Sequence, residues 1–384
     1  MGKLFIKRLY QVVLLLAFLR SLNAWFTWDI SKSLFIFSAL ISIFYFLVYD
    51  RELEIRKHLK IILLYVASII SLGYGNNLTE MLNTIPIIVF LTTTREFKTQ
   101  TLDLIVKLLS YFLIVSLILF LLSFFFSLPN LGQIEHPSWD EYVYTNYVFF
   151  IKGQFYDIRF NSIFLEPGHL GMIIAFLLFA IRFNFKRWEV WVMILIEIFT
   201  LSLAGYILVA IGYFLSILIK SRSVYRFIFY VILIFGSLYL AGKYYNNGNN
   251  LLNTLIIARM EYDQEKGIAG NNRATTNADE YLDRIINNGD IWIGMPQNYI
   301  KDENLGAGWK IFLIRYGLFS LLVFALFYYQ STATILYNSR KYNLFFLVLI
   351  AIAFLQRSYP WWESWIIPFV SGMSYLGKKN KNYL

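Results

Sequence analysis

The sequence predicts an all-α protein that crosses a membrane many times. Of its 384 residues, 58% are hydrophobic and 19% aromatic, and apolar runs long enough to cross a bilayer recur along the chain. Only 15% are charged, against about 25% in soluble domains. We therefore assign the net charge of +10 to cytoplasmic loops rather than to a nucleic-acid-binding surface. With no cysteine and three histidines, we expect neither a metal nor another cofactor.

Apolar segments predict twelve membrane spans. They lie at about 9–23, 34–49, 61–75, 79–94, 106–128, 162–181, 188–203, 205–219, 224–242, 309–329, 343–357 and 365–377. The connections on alternate sides of these spans hold 21 of the 34 lysines and arginines. By the positive-inside rule, this distribution predicts that both chain ends lie in the cytoplasm.

The apolar stretch 188–219 allows two interpretations. Two full crossings need roughly 40 residues, so the stretch is short for a pair of spans. Basic residues at both of its ends nevertheless require an even number of crossings. Two short helices that meet at the sequence SLAG satisfy both observations. One long helix with a single misplaced loop is the alternative.

Two longer connections are predicted on the outer side of the membrane. Residues 129–160 are rich in tryptophan and tyrosine, and residues 243–308 are polar and rich in asparagine. The second connection contains a helical segment in which Asn277 and Glu280 have the spacing of a capping box. We predict one transmembrane domain, 1–384, that carries both loops.

Arginines on the outer side are the main candidates for substrate binding. A guanidinium group binds a phosphate through two hydrogen bonds of fixed geometry. For each arginine, pairing with a loop acid or a lipid headgroup is the alternative. The arginines concerned are Arg159, Arg259, Arg273, Arg284, Arg315 and Arg357.

The segment RFNSIFLEPGHLGMII, which starts at Arg159, places an acid and a histidine at the mouth of a predicted span. Pro167 favours the first turn of a helix, so Glu166 is expected at its N-cap. His169 follows three residues later on the same face, where the positive helix end favours a neutral imidazole. Glu166 and His169 therefore form a candidate base with its orienting partner. Alternatively, Glu166 only caps the helix and His169 lies at the membrane interface.

Arg20 and Glu197 lie inside predicted spans. A charged side chain costs about 2.5–3.5 kcal/mol at the centre of a membrane helix, so we expect both residues to face the protein interior. A structural pair between them is the first interpretation, and contact with a substrate is the second.

Together these features resemble the superfamily of the O-antigen polymerases (Wzy-type) and O-antigen ligases, which are integral membrane glycosyltransferases. The resemblance rests on the predicted topology, on the pattern R-x-x-S-x-F-x-E-P, and on a large outer loop that ends in GAGWKIFLIRYGLFSLLV. The matching positions are Arg159, Ser162, Phe164, Glu166, Pro167, Gly171, Asn272, Arg273 and Gly306–Gly317.

The resemblance implies a GT-C-like, metal-independent polymerase in the bacterial inner membrane, with its active site on the periplasmic or outer face. The growing glycan would leave a polyprenyl diphosphate and join a hydroxyl of a lipid-linked repeat unit. Membrane lipids and a chain-length regulator are further implied partners. The implied catalytic residues are Glu166, His169, Arg159 and Arg273, and the implied diphosphate or substrate ligands are Arg259, Arg284, Arg315, Arg357 and Arg20.

Other functions stay open at this point. The ligase subgroup usually has an essential histidine in its large loop, and because residues 243–308 contain none, a polymerase is favoured over a ligase. A sugar or lipid transporter would place polar residues along several spans near mid-membrane, where the sequence has little beyond Arg20, Glu197 and the stretch 188–219. A receptor or scaffold would account for the large loop but not for the outer cations.

Overall fold

A computed structural model describes the chain at residues 2–28, 31–49, 53–73, 78–137, 139–153, 158–219, 236–237, 239–250, 253–258, 262–263, 267–268, 276–295, 308–335 and 337–375. About 76% of the structure is helical. Its principal helices are α1 (Gly2–Ser21), α2 (Ser31–Tyr49), α3 (Ile55–Ser71), α4 (Leu78–Thr92), α5 (Arg95–Leu122), α6 (Pro167–Ala180), α7 (Trp188–Thr200), α8 (Leu203–Ile219), α9 (Thr276–Asn287), α10 (Trp309–Thr334), α11 (Arg340–Gln356) and α12 (Glu363–Ser374).

Two small antiparallel sheets correct the all-α expectation. Strands β1 (Gln133–His136), β2 (Trp139–Asn146) and β3 (Ile151–Gly153) form a meander inside the first predicted outer loop. In the second loop, β4 (Tyr262–Asp263) pairs with β5 (Gly267–Ile268). The aromatic residues of the first loop are β-formers, a signal that the helix-based interpretation did not use.

Among the described helices, α5 and α10 are long and apolar enough to cross a membrane. Most of the predicted span 224–242 lies outside the described residues, and each of the other predicted spans overlaps a helix. The count of twelve spans and their orientation stay predictions. Shorter apolar helices occur at Ser33–Tyr49, Met81–Thr92, Pro167–Ala180 and Leu203–Ile219.

The stretch 188–219 forms two helices, so the alternative of a single long helix is wrong. Helix α7 ends at Thr200, and Leu201 adopts a left-handed conformation with φ of 46°. The Ser202 hydroxyl then accepts a hydrogen bond from the Gly205 N–H, 3.3 Å away, at the start of α8. The turn is built into the SLAG sequence, as predicted. In contrast, Asn277 lies inside α9 rather than at its N-cap position.

Helices α6 and α12 form the centre of the bundle. Every residue of both helices is buried, as expected for helices that are apolar around nearly their whole circumference. They pack in parallel, because a Cβ atom on Gly372 would lie 3.0 Å from the Ala180 Cα, near the C-terminus of each helix. Their N-termini therefore lie at the same end of the bundle.

The helix termini gather at two opposite ends of the bundle. At the first, which we call the site end, the C-termini of α1, α3 and α11 lie beside the N-termini of α4, α6 and α12. At the second, which we call the opposite end, the C-termini of α4, α6 and α12 lie beside the N-terminus of α5. The two ends differ in their chemistry.

Basic side chains cap helix C-termini at the opposite end. Lys98 is fully buried, and its Nζ donates hydrogen bonds to the carbonyls of Leu91 and Thr93, at 2.9 and 2.6 Å, where α4 ends. Arg95 and Arg182 donate to carbonyls at the end of α12, at 3.0 and 2.9 Å. These carbonyls have no partner within their own helix, and the negative helix end attracts the cations.

Glu54 joins two connections at the opposite end. Its Oε2 accepts hydrogen bonds from Lys57 Nζ and the Tyr337 hydroxyl, at 2.8 and 2.7 Å, and lies 3.1 Å from His58 Nε2. Burial alone would raise the pKa of this carboxyl, but the hydrogen bonds outweigh burial and lower the pKa from 4.5 to about 2. The backbone N–H of Glu54 also bonds to the Thr92 carbonyl.

We expect Lys98→Met to lower the free energy of unfolding by roughly 1–3 kcal/mol, because it leaves buried carbonyls without donors. Thermal unfolding of the purified protein in detergent measures the loss. Lys107→Met is the matched control, since Lys107 is exposed on the same helix, α5. Equal unfolding temperatures for the two variants would contradict the capping role of Lys98.

A second prediction concerns acid stability. Because the pKa of Glu54 is lower in the folded chain than in the unfolded chain, its ionised form stabilises the fold above about pH 4.5, and this contribution disappears as the pH falls towards 2. The native protein should therefore melt above the Glu54→Gln variant at neutral pH, with a difference that vanishes on acidification. Glu280→Gln, at an exposed position of α9, should show no such pH-dependent difference.

Candidate functional site

The start of α6 follows the predicted geometry but uses its acid differently. Glu166 occupies the N-cap position and Pro167 the first turn. The Glu166 side chain makes no capping hydrogen bond, and instead its Oε2 accepts a hydrogen bond from Nη2 of Arg357, at the C-terminal cap of α11. The predicted base and a predicted phosphate ligand are therefore direct partners.

The small β-sheet and the turn that follows α1 fix the segment 158–166 that leads into α6. The Trp25 N–H donates to the Ile163 carbonyl over 3.0 Å. From β2, the Tyr144 hydroxyl donates to the Leu165 carbonyl over 2.7 Å. Because the segment is anchored on both sides, Glu166 projects from a fixed backbone.

We call the side chains around this ion pair the Arg357 cluster, which consists of Glu166, His169, Arg357, Tyr359 and Trp362. Arg357 is 4% exposed and His169 is 3% exposed. The imidazole lies edge-on to the rings of Trp362 and Tyr359, at centroid distances of 5.0 and 6.3 Å, and those two rings stack at 4.2 Å. The cluster thus combines an ion pair, an imidazole and an aromatic wall in a largely dehydrated place.

A cavity that is also lined by Trp362 lies next to this cluster, and we call it the Arg20 cavity. Its volume is about 130 Å³. The Arg20 guanidinium forms an ion pair with Glu363, donates to Asn83 Oδ1, and lies 4.2 Å from the centre of the Phe35 ring. The lining residues are Arg20, Ser21, Asn23, Tyr65, Ile69, Asn83, Thr84, Trp361, Trp362 and Glu363.

The two ion pairs share one electrostatic arrangement. In each pair the cation lies at a helix C-terminus, Arg20 on α1 and Arg357 on α11. The carboxylate lies at a helix N-terminus, Glu363 on α12 and Glu166 on α6. Each charge is therefore opposite in sign both to the partial charge of its own helix end and to the charge of its partner. Both interactions are attractive, and their contributions add.

The predicted pair of Arg20 with Glu197 is wrong. Arg20 pairs with Glu363, whereas Glu197 is buried in α7 against two glycines. A Cβ atom on Gly171 would lie 2.9 Å from Glu197 Oε1, and one on Gly205 would lie 2.0 Å from it. Within the described part of the chain, neither carboxylate oxygen of Glu197 has a hydrogen-bond partner.

The other predicted arginines do not join the Arg357 cluster. Arg159 donates from Nε to the Thr200 carbonyl over 3.1 Å. Arg284 is exposed on α9, with its guanidinium 5.2 Å from the centre of the Tyr281 ring, and Arg315 is exposed on α10. Arg259 and Arg273 lie outside the described residues.

Sequence reasoning named Arg357 but missed its pairing with Glu166, and it missed Glu363, Tyr359 and Trp362 in the connection between α11 and α12. The segment RSYPWWE, residues 357–363, carries one member of each ion pair and the rings of Tyr359 and Trp362 between them. A proline and three aromatic residues between opposite charges, directly after a span, were the available signal. No signal of this kind marked Asn83, since a single amide side chain in an apolar helix is compatible with many different roles.

Comparisons of this chain with protein-family models, with curated proteins and with solved structures find no match.

A glycine substitution tests the placement of Arg357. A Cβ atom on Gly168 would lie 2.5 Å from Arg357 Nη2, so Gly168→Ala should push the guanidinium away from Glu166. Because one buried ion pair is then disturbed, we expect a loss of about 1–3 kcal/mol in the free energy of unfolding. Thermal and denaturant unfolding measure this loss.

Gly212→Ala, in α8, is the matched control. The nearest atom to its added Cβ would be 3.5 Å away, an ordinary contact, and alanine favours helix by about 1 kcal/mol. This variant should be as stable as the native protein or slightly more so. Equal destabilisation by both substitutions would contradict the close approach of Arg357 to α6.

Proposed function

We propose that this protein is a polysaccharide polymerase in the bacterial inner membrane. It transfers a growing glycan from a polyprenyl diphosphate carrier to a lipid-linked repeat unit, with its site end on the periplasmic or outer face. The observation that carries the proposal is the Arg357–Glu166 ion pair at the N-terminus of the buried helix α6. One contact brings together a phosphate ligand and a proton acceptor.

Exposed apolar residues support a membrane location. Large apolar side chains are exposed at helical spacing along α2, α5 and α10, so each helix presents a continuous apolar stripe to its surroundings. Monomeric soluble proteins rarely expose apolar patches of such length, whereas lipid tails cover them without cost. The stripes comprise Ile36, Leu40, Ile43 and Leu47, then Leu108, Val115, Ile118 and Leu122, and finally Phe319, Leu322, Leu326 and Tyr329.

The distribution of basic residues supports the proposed orientation. Lys98, Arg95 and Arg182 cap helix C-termini at the opposite end, and Lys57 lies beside Glu54 there. The positive-inside rule assigns an end of this kind to the cytoplasm. The site end would then face outwards, where lipid-linked glycan is assembled.

The ion pair gives the substrate a way to activate the base. Phosphate oxygens of the carrier bind the Arg357 guanidinium beside the start of α6, where the positive end of the helix attracts anions. They compete with Glu166 for the same guanidinium. Once displaced, the Glu166 carboxylate is free to accept a proton from the acceptor, so binding of the donor and activation of the base are linked.

The transfer balances as a single displacement. The acceptor hydroxyl oxygen forms a bond to the anomeric carbon of the growing glycan, and its proton passes to the Glu166 carboxylate. The bond between that carbon and the diphosphate oxygen breaks, and its electron pair leaves with the diphosphate. Arg357 and the α6 N-terminus stabilise the charge that develops there. His169 is the second candidate acceptor for the proton.

Further residues belong to the proposal. Arg159 and Arg273 are proposed as catalytic arginines, and Arg259, Arg284 and Arg315 as additional ligands of the diphosphate. The absence of histidine from residues 243–308 favours a polymerase over a ligase.

The test is glycan synthesis by the purified protein in nanodiscs, with lipid-diphosphate-linked repeat units and a chelator, and with the products separated by size. The native protein should give a ladder of longer lipid-linked glycans. Glu166→Gln should slow its formation roughly 10²–10⁴-fold through loss of the base. Arg357→Ala should slow it roughly 10²–10³-fold, and Arg357→Lys should restore little, because lysine lacks the bidentate geometry.

Arg340→Ala is the control, because Arg340 is exposed at the opposite end. Activity retained by inserted Glu166→Gln and Arg357→Ala variants would overturn the assigned roles. Transfer to a lipid A-type acceptor without a ladder would identify a ligase instead. Absence of transfer to any acceptor would reject the glycosyltransferase and favour a transporter.

A further inference from the structure

The Arg20 cavity differs from the Arg357 cluster in what it can hold. Its volume of about 130 Å³ is comparable to that of protein cavities that hold one six-membered ring, and it is too small for an oligosaccharide. It lies at the site end, and Trp362, which lines it, also contacts His169 of the Arg357 cluster. Its contents would therefore lie next to the proposed reaction centre.

The charges of the cavity are balanced. Among the described lining residues, Arg20 and Glu363 carry the formal charges, and they form an ion pair with each other. A diphosphate entering the cavity would bring at least two negative charges beside the Glu363 carboxylate, and like charges at such distances repel strongly. A neutral ligand meets no such cost. This balance argues against the predicted role of Arg20 as a diphosphate ligand.

The walls suit a polyhydroxylated ring. Trp361, Trp362 and Tyr65 supply aromatic surface, on which the C–H face of a sugar can pack. Glu363 and the side-chain oxygen of Asn83 accept hydrogen bonds, whereas Arg20 and the Asn83 amide donate them. A few convergent polar groups on an apolar wall are typical of a site for a small neutral molecule.

We propose that the Arg20 cavity binds one neutral sugar ring of the glycan substrate, separately from the diphosphate at the Arg357 cluster. This inference rests on the proposed function, because the donor of such a transferase carries its sugar next to the diphosphate. Trp362 forms the boundary between the two places. Glu363 thereby selects against charge in the cavity while it holds Arg20 in position.

Saturation-transfer difference NMR tests the proposal. The probes are the methyl glycosides of glucose, galactose, mannose, N-acetylglucosamine and N-acetylgalactosamine, added to the purified full-length protein in nanodiscs. We expect at least one glycoside to receive saturation from the protein, and excess inorganic pyrophosphate to leave that signal unchanged. In Glu363→Gln the Arg20 charge is no longer balanced, so pyrophosphate should now displace the glycoside.

Two further variants localise the signal. Trp361→Ala should weaken glycoside binding roughly three- to tenfold, whereas Trp191→Ala, at an exposed position of α7, should leave it unchanged. Because Trp361 also contacts Phe312 and Tyr316, Asn83→Leu is the second cavity variant and removes polar atoms without a large change in size. It should abolish the signal in a protein that melts normally.

Three results would overturn the proposal. They are the absence of saturation transfer to any glycoside, displacement of the glycoside from the native protein by pyrophosphate, and undiminished glycoside binding in both cavity variants. Its failure is distinguishable from failure of the proposed function. If the protein polymerises glycans but binds the glycosides at another place, only the assignment of the sugar site to the cavity is rejected. If the cavity variants weaken glycoside binding but the protein transfers no glycan, the sugar site is supported and the polymerase function is rejected.

Discussion

Two buried ion pairs, each linking the end of one helix to the start of another, hold the site end together. Helices α6 and α12 are buried along their whole length, so the partial positive charge at each N-terminus needs a negative charge inside the protein. Glu166 and Glu363 provide it, and each carboxylate in turn needs a cation, since an unpaired buried charge is costly. The fold and the candidate site therefore depend on the same charges.

The opposite end solves the complementary problem with different chemistry. There helix C-termini meet, and their free carbonyls accept hydrogen bonds from Lys98, Arg95 and Arg182. Basic residues at this end are also those that the positive-inside rule uses to predict orientation. In the sequence, these basic residues indicate only the orientation of the chain in the membrane. In the structure they have a second role, because they cap helix C-termini inside the protein.

Local features could be predicted from the sequence, and most long-range partners could not. Pro167 marked the start of α6, and the short stretch around Ser202 predicted two helices. These results depend on a few neighbouring residues. The partner of Arg20 depends on which helix ends meet, and Glu363 and Glu197 are equally costly acids in apolar sequence. The sheet escaped notice because hydropathy dominates the interpretation of an apolar chain.

The connection between α11 and α12 has a consequence for the time course of synthesis. Arg20 and Glu363 are 343 positions apart in the chain, and Glu166 and Arg357 are 191 apart. A ribosome adds about 5–20 residues per second, so Arg20 waits roughly 20–70 s for its partner. Until the final helices are made, the N-terminal half carries unmatched charges at its helix ends. Assembly of this end is therefore among the last events in the biogenesis of the protein.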